Sequence, residues 1–258
     1  MPARPIEALY RSTNPLARLL TPVLRGLGHL RRFLQSQQHR SEMLTRLLHP
    51  VAHLQGATYT EPDRYPELFA VCRDHFRDLP VPPRILSFGC STGEEVFALA
   101  RYLPKAQITG VDLNPWCLKQ ARKACPANAS HVFVAANSPA FAKAEPFDAI
   151  FCMAVLQRSE NRSQPRASAH RGFRFKRFED QLRDLDEKLK PGGLLFLDQC
   201  DFSFFDTTVA QRYRPLGFER NRVRRQRPLF DKDNQLQATG YTAYRCFVKV
   251  RQSNNAGF

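Results

Sequence analysis

The sequence predicts an α/β fold: a mainly parallel sheet with helices on both faces, preceded by a helical segment and closed by an antiparallel hairpin. Three observations predict it. Between residues 84 and 201, five short apolar runs alternate with stretches of helical periodicity, and such runs need crossovers that cover both faces of a parallel sheet. The first run ends in a glycine-rich turn that opens a helix. The second ends in an acid, Asp112, about twenty residues beyond that turn, which is the layout of a nucleoside site.

Composition sets the bounds. A chain of 258 residues suits one medium domain and a small appendage, and 43% hydrophobic residues can build a sizeable core. No run approaches the roughly 18 apolar residues that span a bilayer. The opening has no continuous apolar stretch of the secretory kind, so the expected location is cytoplasmic. Seven cysteines occur singly, with no C-x-x-C and no Cys/His pair at ligand spacing. That pattern argues against a disulfide framework and against a metal site. Net charge is +15, mainly from arginine and unevenly spread, which favours anionic partners.

Taken in order, Leu16, Leu19, Leu20, Val23, Leu24, Leu27, Leu30 and Leu34 recur at helical spacing with arginines between them, and Met43 to Leu54 repeats the pattern. Gly26, Gly28 and Pro50 are expected to interrupt it. This basic extension, residues 1–60, reads as an amphipathic cap on the main domain. The sharper alternative is peripheral membrane contact through residues 14–34. Pro82-Pro83 bounds the first strand, Ile85–Phe88. The turn from Gly89 to Gly93 leads to a helix that stops at Pro104, and Ile108–Val111 is the second strand. Asn114-Pro115 starts the next helix, His131–Ala136 is the third strand and Phe147–Met153 the fourth. Residues 158–177 are polar and basic and read as a loop, or as a loop and a short helix. Phe178, Leu182, Leu185 and Leu189 then give a helix with Glu179-Asp180 in its first turn, Lys188 and Lys190 in its last, and Pro191-Gly192-Gly193 as its stop. Leu194–Leu197 is the fifth strand. Tyr241–Val250 alternates like a strand, with Arg220–Arg227 as its expected hairpin partner.

The turn after strand one lets backbone approach a ligand closely, since glycine carries no Cβ, and the following helix presents free N–H groups there. Spacing Gly89-x-x-x-Gly93 is not the dinucleotide pattern, and no lysine follows for a P-loop. A carboxylate at Asp112 can accept both hydroxyls of a ribose.

Four stretches in order, LSFGCSTGEE, GVDLN, FDAIFCMAVL and LKPGGLLFL, resemble the motifs of the class I S-adenosylmethionine-dependent methyltransferases. The resemblance covers about residues 84 to 201. It implies a Rossmann-like seven-stranded sheet whose last two strands form the C-terminal hairpin, and S-adenosylmethionine as cofactor. It implies that Gly89 and Gly93, with Ser87, Cys90 and Ser91 around them, flank the methionine part, and that Glu94 lies near its amino group. Asp112 then binds the ribose, Leu113 lies beside the adenine, Asn137 meets the adenine amino group and Met153 lines the methyl-donor side. Ser87 stands where many members have an acid, and Ser91 where many have a glycine. The domain of this kind is expected over residues 61–258, with the cofactor half at 84–153 and substrate-side segments at 154–180 and 198–227. GCSTGEE also resembles the chemotaxis receptor methyltransferases, but the residues after strands four and five do not.

Methyl transfer needs alignment and sometimes a base, with no covalent enzyme intermediate. Polar groups expected to face an acceptor are Gln157 and Arg158 beyond strand four, and Asp198 and Asp201 beyond strand five, either acid being a candidate base. Residues 158–177 hold six arginines and one lysine, and residues 212–227 seven arginines, so the expected acceptor is anionic, a small molecule or glycan methylated on O or N. The alternatives are methylation of RNA, for which no recognisable binding module is present, methylation of protein, and a non-catalytic S-adenosylmethionine-binding module.

Overall fold

A computed structural model describes residues 15–50, 52, 54, 60–61, 63–158, 161, 167–217, 228–237 and 244–251, with backbone alone at 15–20 and 23–25. The chain divides into two compact units, residues 1–48 and 49–258.

The first unit holds helices α1 (Pro15–Gln35) and α2 (Gln37–Leu48). Gly26 and Gly28 do not interrupt α1 as expected; a single helical glycine costs only about 1 kcal/mol. The break falls at Ser36, whose Oγ accepts from His39 N, while Arg40 Nη1 donates to the carbonyls of Phe33 and Leu34 and satisfies the end of α1. The rings of His29 and His39 stack 5.9 Å apart, so α2 folds back along α1. Leu27, Leu30, Leu34, Met43, Leu44, Leu47 and Leu48 are all exposed.

The second unit opens with α3 (Pro66–His75) and is built on seven strands: β1 (Arg84–Phe88), β2 (Gln107–Asp112), β3 (Val132–Ala135), β4 (Phe147–Met153), β5 (Leu189–Asp198), β6 (Tyr213–Pro215) and β7 (Cys246–Lys249). Their order across the sheet is β3-β2-β1-β4-β5-β7-β6. The first five pair in parallel, and β7 runs antiparallel to both β5 and β6. Between the parallel strands lie α4 (Glu94–Tyr102), α5 (Pro115–Ala124), α6 (Pro139–Ala142) and α7 (Phe175–Glu187). Local chemistry sets their starts. Asn114 Oδ1 accepts from Trp116 N with Pro115 in the first turn, and Ser138 Oγ accepts from Phe141 N.

Alternation along the strands fills two cores. On β4, Ile150 and Cys152 join one and Ala149, Phe151 and Met153 the other. The first core receives Phe178, Leu182 and Leu185 of α7. The second receives Leu68, Phe69 and Cys72 of α3, with Val96, Leu99, Leu118 and Ala121. Phe151 and Phe196 stack at 4.1 Å in its middle. Each such buried ring stabilises the fold by about 1.5–3 kcal/mol.

Two further expectations about elements are corrected. Helix α7 begins at Phe175 and ends at Glu187, so Glu179-Asp180 lie in its second turn, and Lys188 and Lys190 lie beyond it. Pro191-Gly192-Gly193 does not stop a helix but lies within β5, where the register against β4 shifts. A Cβ at Gly193 would stand 2.7 Å from the Asp148 carbonyl oxygen, so the strands approach too closely there for a side chain. The partner of β7 at the sheet edge is Tyr213–Pro215; the expected partner, Arg220–Arg227, lies outside the described residues. Among the described residues, no helix is long and apolar enough to cross a membrane.

Candidate active site

The glycine-rich turn is pinned to the end of β2. Gly89 N and Cys90 N both donate to the Val111 carbonyl, at 2.7 and 2.9 Å. Gly89 has φ +78, and a Cβ there would run into Val155 Cγ2. Ser91 is a non-glycine residue with φ +50, held there because its N–H donates to Asp112 Oδ2 at 2.9 Å. Asp112 Oδ1 accepts from Asn114 N at 2.8 Å. The carboxyl remains partly accessible, and a carboxylate has about four lone-pair sites, so it keeps capacity for ligand hydroxyls. Burial pushes its pKa up, opposed by those backbone N–H groups.

The two glutamates after Gly93 have different partners. Thr92 Oγ1 lies 2.7–2.8 Å from both Glu94 oxygens. Glu95 instead accepts from Ser87 Oγ at 2.7 Å. Burial pushes Glu95 up to about 7, against the Ser87 hydrogen bond and the charge of Arg64. At the family's usual acidic position the chain has Ser87, and the carboxylate bonded to that site comes from the first turn of α4. Glu95 was missed in the sequence; the serine in place of an acid was the signal that a second carboxylate must stand nearby.

Beyond β4 and β5 the backbone is again in the left-handed region at non-glycine residues, Ala154 (φ +62) and Gln199 (φ +60). With Ser91, all three follow a central strand's carboxyl end, and such conformations cluster at functional sites. Gln157 is buried and its Nε2 donates to the Ala154 carbonyl at 2.7 Å. Asp201 Oδ2 accepts from Arg158 N and Asn161 Nδ2, each at 2.7 Å, so this acid holds the segment after β4. The Arg158 and Arg177 guanidiniums both donate to the Gly172 carbonyl, at 3.4 and 2.5 Å. Asp198 lies 3.9 Å from Arg245, which pairs more closely with Glu67 at 2.8 Å. Asp198 and Asp201 are each 3% exposed. Gln199 Nε2 donates to Tyr65 Oη at 3.2 Å. Tyr65, Gln199 and Arg245 carried no sequence signal, because only the fold brings residues 134 and 178 positions apart together.

The structure thus brings together Ser87, Gly89, Cys90, Ser91, Gly93, Glu94 and Asp112 around one turn. Leu113 is half-buried beside it and Met153 is buried at the end of β4. Asn137, following β3, is exposed, with Nδ2 3.5 Å from His49 Nε2. Burial raises the Cys90 and Cys152 thiols well above their ordinary range, which suits packed side chains. Among the described residues, no group of three His, Cys, Asp or Glu side chains could hold a metal.

Residues 85–193 match the family model described as a methyltransferase domain. Over those residues the chain is similar to methyltransferase domains, in line with its resemblance to the class I, S-adenosylmethionine-dependent superfamily. Its similarity to named proteins is partial. It is 30% identical over 131 residues to a trans-aconitate 2-methyltransferase of Rhodopseudomonas palustris (strain BisB18), covering 50% of this chain and 44% of the relative. A trans-aconitate 2-methyltransferase of Streptomyces coelicolor is 39% identical over 84 residues, covering 31% and 28%. The chain thus spans less than half the length of these curated relatives. A solved plantazolicin methyltransferase in complex with SAH is 16% identical with a TM-score of 0.39, over 66% of this chain and 56% of that one. S-adenosylmethionine is the cofactor of the superfamily, and the turn fits it: a positive-φ glycine, and a partly accessible carboxylate at the end of β2.

Proposed function

We propose that the chain transfers the methyl group of S-adenosylmethionine to a carboxylate oxygen of an anionic small molecule. The observation that carries the cofactor half is Asp112, locked against the Gly89–Gly93 turn by the Ser91 hydrogen bond. When bound, the cofactor supplies a methyl carbon activated by its sulfonium for in-line displacement. Asp112 would accept from the ribose hydroxyls. Gly89 would let the backbone approach the methionine part, and Glu95 would balance its ammonium. Leu113, Asn137 and Met153 would line the remainder.

The acceptor half rests on two supports. The acids beyond β5 already have partners: Asp201 is held by Arg158 and Asn161, and Asp198 stands beside Arg245. A carboxylate acceptor is ionised at neutral pH and releases no proton on methylation, so it needs alignment and no base. Arginine forks suit such a ligand, and three of the relatives with 30% or more identity are named for trans-aconitate.

Calorimetry with S-adenosylmethionine tests the first half: Asp112→Ala should weaken binding at least tenfold while the fold, followed by circular dichroism, persists. Equal binding by the variant overturns it. Release of S-adenosylhomocysteine, measured with trans-aconitate, smaller dicarboxylates and neutral hydroxyl or amine compounds, tests the second. Turnover confined to carboxylates supports it. Turnover with an RNA or protein fraction alone, or cofactor binding with no turnover, overturns it.

A further inference from the structure

Helices α1 and α2 carry apolar rows that the pair leaves exposed. Leu27, Leu30 and Leu34 follow one stripe of α1 at three- and four-residue spacing, with Leu34 66% exposed. Met43, Leu44, Leu47 and Leu48 form a second row on α2, with Leu47 74% exposed. On that helix Thr45 is buried, and Met43 and Leu47 lie on the side turned away from it. A large apolar surface open to water marks an interaction site.

The charges beside these rows identify the occupant. Residues 15–48 contain six arginines and a single acid, Glu42. Glu42 already accepts from Gln38 Nε2 at 3.0 Å. Arg31 and Arg32 sit between Leu30 and Leu34 in the sequence and are exposed. A second copy of the same helices would bring arginines against arginines, which opposes self-association through these rows. An anionic lipid surface offers both complements at once: acyl chains for the leucines, and a plane of phosphates for the guanidiniums, whose stems extend along the apolar surface. Neither helix is long and apolar enough to span a bilayer, which leaves the interfacial mode.

We propose that the α1–α2 pair docks the protein peripherally on anionic membranes, with Leu27, Leu30, Leu34, Leu47 and Leu48 entering the acyl boundary and the arginines contacting lipid phosphates. The anchor acts independently of the identity of the methyl acceptor.

Co-sedimentation of the full chain with vesicles tests this. One set is pure phosphatidylcholine; the other contains about one-third phosphatidylglycerol, a composition chosen to give the negative surface that polybasic segments recognise. The full chain should bind the anionic set at least tenfold better, and binding should weaken as salt rises. Replacing Leu30 and Leu47 together by glutamate should abolish it. Arg31→Gln with Arg32→Gln should weaken it by roughly fivefold per arginine, the effect of about 1 kcal/mol for each basic residue near the surface. S-adenosylmethionine binding by each variant confirms that the second unit is intact. Equal partition to both vesicle sets, or unchanged binding by the leucine variant, overturns the proposal. So does a dimer in sedimentation velocity that the leucine variant dissociates, which would assign the rows to a second copy.

Discussion

The protonation of Glu95 is an observable for both stability and the proposed cofactor contact. Its carboxyl rises from an ordinary 4.5 to about 7, chiefly by burial. Between those values the folded chain holds a proton that the unfolded chain releases. The contribution to stability is therefore full below about pH 4.5 and is lost as pH rises through about 7. The swing is on the order of 3 kcal/mol at 1.36 kcal/mol per pKa unit. Urea midpoints of the cofactor-free protein at pH 5 and pH 8 should show this loss in the parent, and Glu95→Gln should remove that share of it. A ligand ammonium favours the ionised form, so S-adenosylmethionine affinity should rise from pH 6 to pH 8 in the parent and stay flatter in the variant; identical pH profiles would remove Glu95 from the cofactor site. Gly89 offers a second test. Gly89→Ala meets both a left-handed φ and the Val155 methyl, so it should destabilise by about 1–3 kcal/mol. Val155→Ala in the same chain should recover part of the loss, and additivity of the two changes would show that the clash is not the cause. The sequence exposed Gly89 and Asp112 because a glycine turn and a strand-end acid are local signals. The Ser87–Glu95 hydrogen bond was not legible, because it joins two elements across the turn.

Among the elements, the junction of α7, β6 and β7 depends on one buried acid. Asp186 of α7 accepts from Tyr213 Oη at 2.8 Å, pairs with Arg212 at 2.6 Å and lies 3.1 Å from Lys249 Nζ. Burial and the Asp186 hydrogen bond push the Tyr213 hydroxyl well above its ordinary range, so it remains a donor. Removing the acid leaves Lys249 largely buried without its counter-charge. Asp186→Ala should therefore cost about 3–5 kcal/mol, and Tyr213→Phe, which removes one hydrogen bond, about 1 kcal/mol. Urea unfolding checks both; equal small losses would mean that the cluster is not what joins the helix to the sheet edge. The same region marks the limit of reading elements from periodicity. The central strands were legible because each buries both faces and is a continuous apolar run. Strand β6 is three residues ending in a proline, with no alternation to detect, and only its pairing with β7 makes it a strand. Pro191-Gly192-Gly193 carries the composition of a helix stop, yet the close approach of the Asp148 carbonyl to Gly193 makes it a bulge in β5.

On the scale of the whole molecule, both cores draw, among the described residues, on Leu54 and later positions, and the sheet begins at Arg84. The turn, Asp112, Glu95 and the segments after β4 and β5 all lie in the same unit, residues 49–258. That unit has what an independently folding domain requires, a closed order of strands with both faces covered. In the first unit the described leucines of α1 and α2 are exposed. A fragment of residues 49–258 should therefore unfold in one cooperative urea transition and bind S-adenosylmethionine within about threefold of the full chain, a difference below 0.7 kcal/mol. In the full chain, amides of β1 and β4 should exchange last and those of α1 first, since protection follows buried apolar contact. The same fragment should lose the affinity for anionic vesicles. If it failed to fold, or folded but bound cofactor more than tenfold worse, the helical extension would have to supply part of the site. Retained cofactor binding with lost vesicle binding would separate chemistry from anchoring along the chain.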